Sequence, residues 1–367
     1  LTHPLVKKAG QLQESSWEEA LSAAAQSLKK TGSSGTAITA APSLTCEEAS
    51  LAAFLGGSLD DSCLASFSSD PGRGLNAVLG RNIATNRLDE MDSSDVIMLV
   101  GSFNENQVLP VRVRQAVRKG AKLIVVSDED TLVDDIAALK INSDSNDKLK
   151  QILATVIRTG YVDDVFINQN TVGFDQFCQQ LEAVIPTNDA QEAARLYGQA
   201  PQAMIIADGI RVTAAGVTWL ADLALITGRI GTAGNGIIVI TPGGNRTGIN
   251  QAGFAEDGDK VIESIRSGET NRAVIIGEDP VGAGVIRAED LAGLDTLVVL
   301  SPLMTQTAAQ ADVVLPSSTP LETTGTYISS DGRLAELSKV ARPPVGRDIG
   351  EILADLIARL EPIIPVG

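Results

Sequence analysis

The chain holds one histidine, three cysteines, three tyrosines and two tryptophans among 367 residues, and these scarcities exclude whole classes of chemistry. A triad of the Ser-His-Asp kind would have to be built on His3, the lone imidazole. Cys46, Cys63 and Cys178 are scattered without paired spacing, so neither a four-thiolate zinc site nor an iron-sulfur cluster can be assembled from them. An odd, unpaired cysteine set also points to a reducing compartment, and so to a cytoplasmic protein, either free or peripheral to a membrane complex. No run approaches the roughly 18 consecutive apolar residues of a membrane span, and the amino end lacks the apolar core of a signal peptide. Positive charge is short as well: 29 Lys and Arg face 46 Asp and Glu. The resulting net charge of -17 repels nucleic acid and anionic membrane surfaces. Neither a nucleic-acid partner nor direct membrane insertion is expected.

What is present is a large apolar fraction, 44%, over a length that argues for two lobes. Residues 17–30 place Trp17, Leu21, Ala24, Ala25 and Leu28 at helical spacing, with Ser16 as cap, Glu18 and Glu19 in the first turn, and Lys29 and Lys30 in the last. Apolar runs rich in β-formers recur at residues 36–40, 95–100, 122–126, 203–207, 272–276 and 296–300. Amphipathic segments at 109–119, 148–158, 191–197 and 213–227 alternate with them. Buried strands alternating with helices predict an α/β fold with mainly parallel sheets.

One internal echo refines this. DVIMLVGS, a helix, KLIVVSDEDT and IAALKI are followed later by RAVIIGEDP, a helix, DTLVVLSPLM and ADVVLP, with Gly101 opposite Gly277 and Val125 opposite Val299. Two units of the same strand-Gly-helix-strand order read as two Rossmann-like lobes with loops at the carboxyl ends of their strands. Between them, residues 227–253 carry Gly228, Gly231, Gly234, Gly236, Gly243, Gly244, Gly248 and Gly253. Glycine at that density lets backbone approach a partner closely, and the segment is expected to be an ordered loop between the lobes.

These pieces, in this order, resemble the molybdopterin oxidoreductase family. The specific matches are LTHPLVKKAGQLQESSWEEAL, LPVRVRQAVRKGAKLIVVSD, LALITGRIGTAGNG and ADVVLPSSTPLETTGT, and the large iron-sulfur subunit of NADH:quinone oxidoreductase (complex I) looks nearest. The resemblance implies two Rossmann-like lobes of the type of formate dehydrogenase domains 2 and 3. Residues 1–66 plus 246–361 would form the first, discontinuous lobe, and 67–245 the second.

It also implies what should be missing. Active relatives hold molybdenum or tungsten through a Cys, selenocysteine or Ser just before the helix represented here by residues 74–80, where this chain reads ASFSSDPGRGL, without cysteine. Ser68 or Ser69 offers only a hydroxyl. The family's Gly-x-Asn-Pro turn is replaced by Gly101, Ser102, Phe103, Asn104, Glu105, and its Asp-Pro-Arg by Asp128, Glu129, Asp130, three carboxylates that oppose a pyrophosphate. Gly277, Glu278, Asp279 and Pro280 keep more of the family's Gly-Glu-Asn-Pro, and Asn245 and Gly248 echo its pterin loop. Together with Gly209, Gly231 and Gly234, these glycines and polar residues form a vestigial cofactor site on this reading, with no catalytic residue and no metal ligand. No cofactor is expected in this stretch: molybdopterin guanine dinucleotide is disfavoured, and iron-sulfur clusters are assigned to the adjoining region or to partner subunits.

The expected function is therefore a non-catalytic scaffold in an NADH-linked electron-transfer assembly. Its partners would be iron-sulfur and NADH/flavin subunits, docked through a strip containing Leu5, Val6 and Leu12. The alternatives are a molybdenum or tungsten bis-pterin oxidoreductase of formate dehydrogenase type and a free-standing nucleotide-binding α/β protein.

Overall fold

The computed structural model describes residues 1–29, 35–344 and 347–360. The last residue expected in the first helix, Lys30, and the last of the expected first lobe, residue 361, lie outside them. The chain divides into two compact units: Leu1–Ser69, Gly243–Ser329 and Leu334–Gly367 form unit 1, and Asp70–Pro242 with Ser330–Arg333 form unit 2.

Strands are numbered in chain order among the described residues. Unit 1 contains β1 (Leu5–Lys8), β2 (Gln11–Glu14), β3 (Gly35–Ala40) and β4 (Ser62–Ser66), and unit 2 contains β5 (Val96–Val100), β6 (Lys122–Val126), β7 (Leu139–Ile141), β8 (Ala203–Asp208) and β9 (Gly236–Ile240). The chain then returns to unit 1 with β10 (Glu256–Asp257), β11 (Thr270–Ile276), β12 (Thr296–Ser301), β13 (Val313–Pro316), β14 (Gly325–Ile328) and β15 (Leu334–Leu337).

In unit 2 the sheet order is β7-β6-β5-β8-β9 and every pairing is parallel. Period-2 alternation explains why these runs must be strands. Ile97, Leu99, Leu123 and Val125 face one core, while Met98, Val100, Ile124 and Val126 face the other. Fully burying each such side chain contributes about 1.5–3 kcal/mol. In unit 1 the order is β10-β4-β3-β11-β12-β13-β1-β2, parallel from β10 to β13, with β1 and β2 added antiparallel. Ile38 and Val274 pack to one face, Ala37 and Ile275 to the other. The mixed α/β architecture with mainly parallel sheets is as the sequence predicts.

Local chemistry sets the helix ends. Ser16 accepts from the Glu19 amide at 3.2 Å to open the helix Trp17–Leu28, and Thr45 with Glu48 forms a reciprocal capping box on Cys46–Gly57. The glycine-rich stretch departs from expectation. Residues 236–240 form β9 within the unit 2 sheet, and Arg246–Gln251 form a helix of unit 1. The buried run Ile237, Ile238, Val239 outweighs the glycines around it. The apolar strip on β1 and β2 also differs: Leu5 and Leu12 pack, half-buried, against one core of their own unit and Val6 against the other.

Candidate functional site

Strand order reverses direction in unit 2 between β5 and β8, the place where an open parallel sheet leaves a crevice beyond its strand ends. A cavity of about 490 Å³ lies there. Phe103, Glu105, Asn106 and Gln107 line it from the loop after β5, Asp208 and Ile210 from the end of β8, and Ile240 and Thr241 from the end of β9. That volume falls in the roughly 300–1,000 Å³ range of small-molecule sites.

The cradle is held by Asp208. This buried carboxylate accepts from the Phe103 amide at 2.8 Å and from the Ile210 amide at 3.0 Å. Gly101 sits above it at φ +100, where a Cβ would lie 2.5 Å from the Asp208 Cβ, so only glycine fits. Phe103 adopts φ +54, a left-handed conformation uncommon for a bulky residue. Asn106 accepts from the Val108 and Leu109 amides where the helix Leu109–Arg118 begins, and itself lines the crevice.

The sequence-derived candidates distribute unevenly. Gly101, Ser102, Asn104, Asp128 and Gly209 all follow strands β5, β6 and β8 and surround this end of the sheet. Ser102 is buried, Asn104 donates to the Asp130 carbonyl at 3.0 Å, and a Cβ on Gly209 would stand 2.6 Å from the Ile240 carbonyl. Gly231 and Gly234 precede β9 and stand at the opposite end of the sheet, where Gly234 approaches the Ser93 carbonyl. The three carboxylates are not a bare anionic wall. Glu129 pairs with Arg211 at 3.3 Å, and Asp130 lies 3.9 Å from Lys140. Residual crowding shows at Asp144, whose pKa is pushed up by burial and then by the charges of Asp128 and Glu129. Phe103, Asn106, Asp208 and Arg211 went unnoticed as candidates in the sequence; the one signal for Asp208 was an acid closing the apolar run AMIIAD.

Unit 1 reverses strand order between β3 and β11. Gly277 turns at φ +72. Glu278, buried, accepts from the Ser66 hydroxyl at 2.8 Å, from the Phe67 and Ser68 amides and from the Ser68 hydroxyl at 3.1 Å. Asp279 accepts from the Thr307 amide at 2.9 Å and hydroxyl at 2.7 Å, which outweighs its partial burial and lowers its pKa. Asn245, fully buried, donates to the Leu44 carbonyl at 2.8 Å and accepts from the Ile328 amide at 2.7 Å. Gly248 packs so close that a Cβ would fall 2.1 Å from the Asn245 Oδ1. Arg246 donates to the Ser68 and Ser69 carbonyls at 2.7 and 3.3 Å.

A metal-pterin dinucleotide is testable against these residues. The crevice of unit 2 has the volume, a helix amino end and a nearby Arg211 that the nucleotide part of such a group calls for. In unit 1, Ser66, Ser68 and Ser69 would offer a metal hydroxyls, and those of Ser66 and Ser68 are both committed to Glu278.

Comparison with known proteins places the chain. The family model for molybdopterin oxidoreductases matches residues 1–359. The α subunit of an F420-dependent formate dehydrogenase from Methanocaldococcus jannaschii is 28% identical over 97% of this chain and 60% of its own length. Formate dehydrogenase H of Escherichia coli is 26% identical over 94% of this chain and 57% of its own. The chain thus spans about three fifths of the length of the curated relatives it matches. Among solved structures, acetylene hydratase from Pelobacter acetylenicus superposes with a TM-score of 0.75 at 14% identity, over 98% of this chain and 61% of that one. A chain of the formyltransferase/hydrolase complex from Methylorubrum extorquens gives 0.66 at 16%, over 97% and 98%.

These relatives overturn two expectations. Against a non-catalytic scaffold of complex I type, the relatives are formate dehydrogenase α subunits, and against the expectation of no cofactor, the family model matched is that of molybdopterin oxidoreductases. The carboxylates carry counter-ions that a count of acids leaves out: Lys140, ten residues on, lies beside Asp130, and Arg211, remote in sequence, returns beside Glu129. No helix among the described residues is long and apolar enough to cross a membrane.

Proposed function

Because the chain belongs to the molybdopterin oxidoreductase family, we propose that it is the cofactor-holding part of a molybdenum or tungsten pterin oxidoreductase of formate dehydrogenase type. The observation that carries this reading is the 490 Å³ crevice at the strand ends of unit 2, in a chain that aligns over nearly its whole length with formate dehydrogenase α subunits. When bound, the metal-pterin group supplies two-electron redox chemistry.

The chain's own residues supply position. Gly101 lets the loop after β5 close onto Asp208, and Asp208 fixes the Phe103 and Ile210 amides that shape the floor. Arg211 offers positive charge beside an otherwise acidic rim. In unit 1, Glu278 and Arg246 hold the loop of Ser66, Ser68 and Ser69 rigid from two sides. We assign formate as the substrate class and partner subunits as the route by which electrons leave. NADH- or flavin-bearing partners rest on the resemblance to complex I alone.

The protein purified in its native complex should contain molybdenum or tungsten by inductively coupled plasma mass spectrometry, release a guanine nucleotide on acid hydrolysis, and reduce an artificial dye with formate. A complex free of both metals and of pterin overturns the proposal.

A further inference from the structure

One flank of the unit 1 sheet is covered over only part of its length. On its inner side β4 pairs with β3 from Ser62 to Ala65, whereas on its outer side β10 meets only Ala65 and Ser66. Burial changes at the same point: Ala65 and Ser66 are buried, and Ser62, Cys63 and Leu64 are half-buried. The Thr36 amide donates to the Asp61 carbonyl at 3.0 Å, so Asp61 and, two residues on, Cys63 turn their backbone groups toward β3. Ser62 and Leu64 therefore turn theirs outward, and no strand among the described residues lies opposite them. The uncovered stretch is about 10 Å long at roughly 3.3 Å per residue.

This flank borders a cavity of about 460 Å³ beside the helix Gly258–Ser267. Cys63, Ala65 and Val261 give the cavity an apolar lining. The exposed carboxylates of Asp61, Glu256 and Glu269 line it as well, and its one cation, Lys260, is already paired with Glu256. β4 itself reads Ser-Cys-Leu-Ala-Ser, with neither the Lys nor the Pro that commonly blunts an exposed edge. The neighbouring carboxylates discriminate instead. A second copy of the chain would bring its own acidic rim against this one and be repelled, whereas a basic segment is drawn in.

We propose that the open edge of β4 is a docking slot for an extended, Lys- or Arg-bearing segment of a partner subunit. The segment adds to the sheet in line with β10, bonds to the backbone of Ser62 and Leu64, and sets alternate side chains into the cavity. It draws on none of the residues that the cofactor reading uses.

The test is titration of the full 367-residue chain with two fluorescein-labelled peptides, Lys-Thr-Val-Thr-Val-Lys and Glu-Thr-Val-Thr-Val-Glu, read by anisotropy and by amide hydrogen exchange. One basic peptide per chain is expected, bound about tenfold or more tighter than the acidic one. At saturation, exchange at Ser62 and Leu64 should slow about tenfold. Asp61→Asn combined with Glu269→Gln removes two of 46 acidic groups, so general attraction to the chain hardly changes. Affinity for the basic peptide should nevertheless fall about fivefold or more. Ser62→Pro, at the first position of the strand, removes one outward amide and should weaken binding by about tenfold. Protection absent from β4, equal affinity in the double variant, or no saturable binding overturns the inference. A free chain that sediments as a dimer with Ser62 and Leu64 already protected assigns the edge to a second copy and overturns it too.

Discussion

The Phe103 amide donates to the Asp208 carboxylate at 2.8 Å, joining the loop after β5 to the end of β8 across 105 residues of sequence. The bond holds Phe103 at φ +54 and sets the floor of the crevice. A residue whose backbone is held in so sparsely populated a conformation persists only where its surroundings over-determine it, and such residues cluster at ligand sites.

Asp208→Asn retains shape but turns one acceptor into a donor, leaving either the Phe103 or the Ile210 amide facing an N–H. A buried amide so stranded costs about 1–3 kcal/mol. The urea midpoint should fall accordingly and GDP affinity with it; an unchanged midpoint would show that the two amides find other partners.

Arg211→Ala removes the counter-charge of Glu129 at the rim of the crevice. GDP affinity should fall several-fold, and its dependence on salt should weaken because one phosphate-facing cation is gone. Equal affinity and equal salt slope in the variant would mean that Arg211 does not face the phosphates.

Asp222, on the helix Ala214–Ile226, has its pKa pushed from 3.8 to about 6 by burial alone. The folded state therefore holds a proton that the unfolded state has released, so stability falls as pH rises through that window. Well below pH 4 the group is neutral in both states, and well above pH 6 the full penalty, on the order of 3 kcal/mol, is present. Asp222→Asn should flatten this part of the stability profile and raise the melting temperature at pH 7; a parallel loss of stability between pH 4 and 6 in the variant assigns the slope elsewhere.

Asn245→Ala strands the Ile328 amide and the Leu44 carbonyl inside unit 1. Loss of two buried bonds and the void left behind should cost about 2–4 kcal/mol. Hydrogen exchange at Ile328 should quicken before the amides of unit 2 respond, and uniform acceleration throughout would contradict a local role.

Much of the architecture could be read in advance because both faces of β5, β6, β11 and β12 are buried, which forces unbroken runs of Val, Ile and Leu. β9 was missed because glycines on both sides disguised a five-residue strand as loop. The crevice was harder. Asp208 meets Phe103 only through the parallel register that sets Val100 against Ala207, and sequence alone gives no register between strands so far apart. The strip of Leu5 and Leu12 was misjudged for the same reason, since β1 finds cover only by pairing Leu5 with Val314 near the far end of the chain.

That distance also governs how the molecule is made. β3 pairs Ala40 with Ile276 of β11, about 240 residues downstream. At roughly 5–20 residues per second of synthesis, β3 leaves the ribosome about 10 to 50 seconds before its central neighbour. All five strands of unit 2 emerge within that interval and can close their sheet, while Ile38 and the backbone of β3 wait with an unpaired edge, a template for adhesion to other nascent chains. Translation stalled before Thr270 should therefore yield a folded insert on an unfinished host, whose first strands depend on chaperones until the rest arrives.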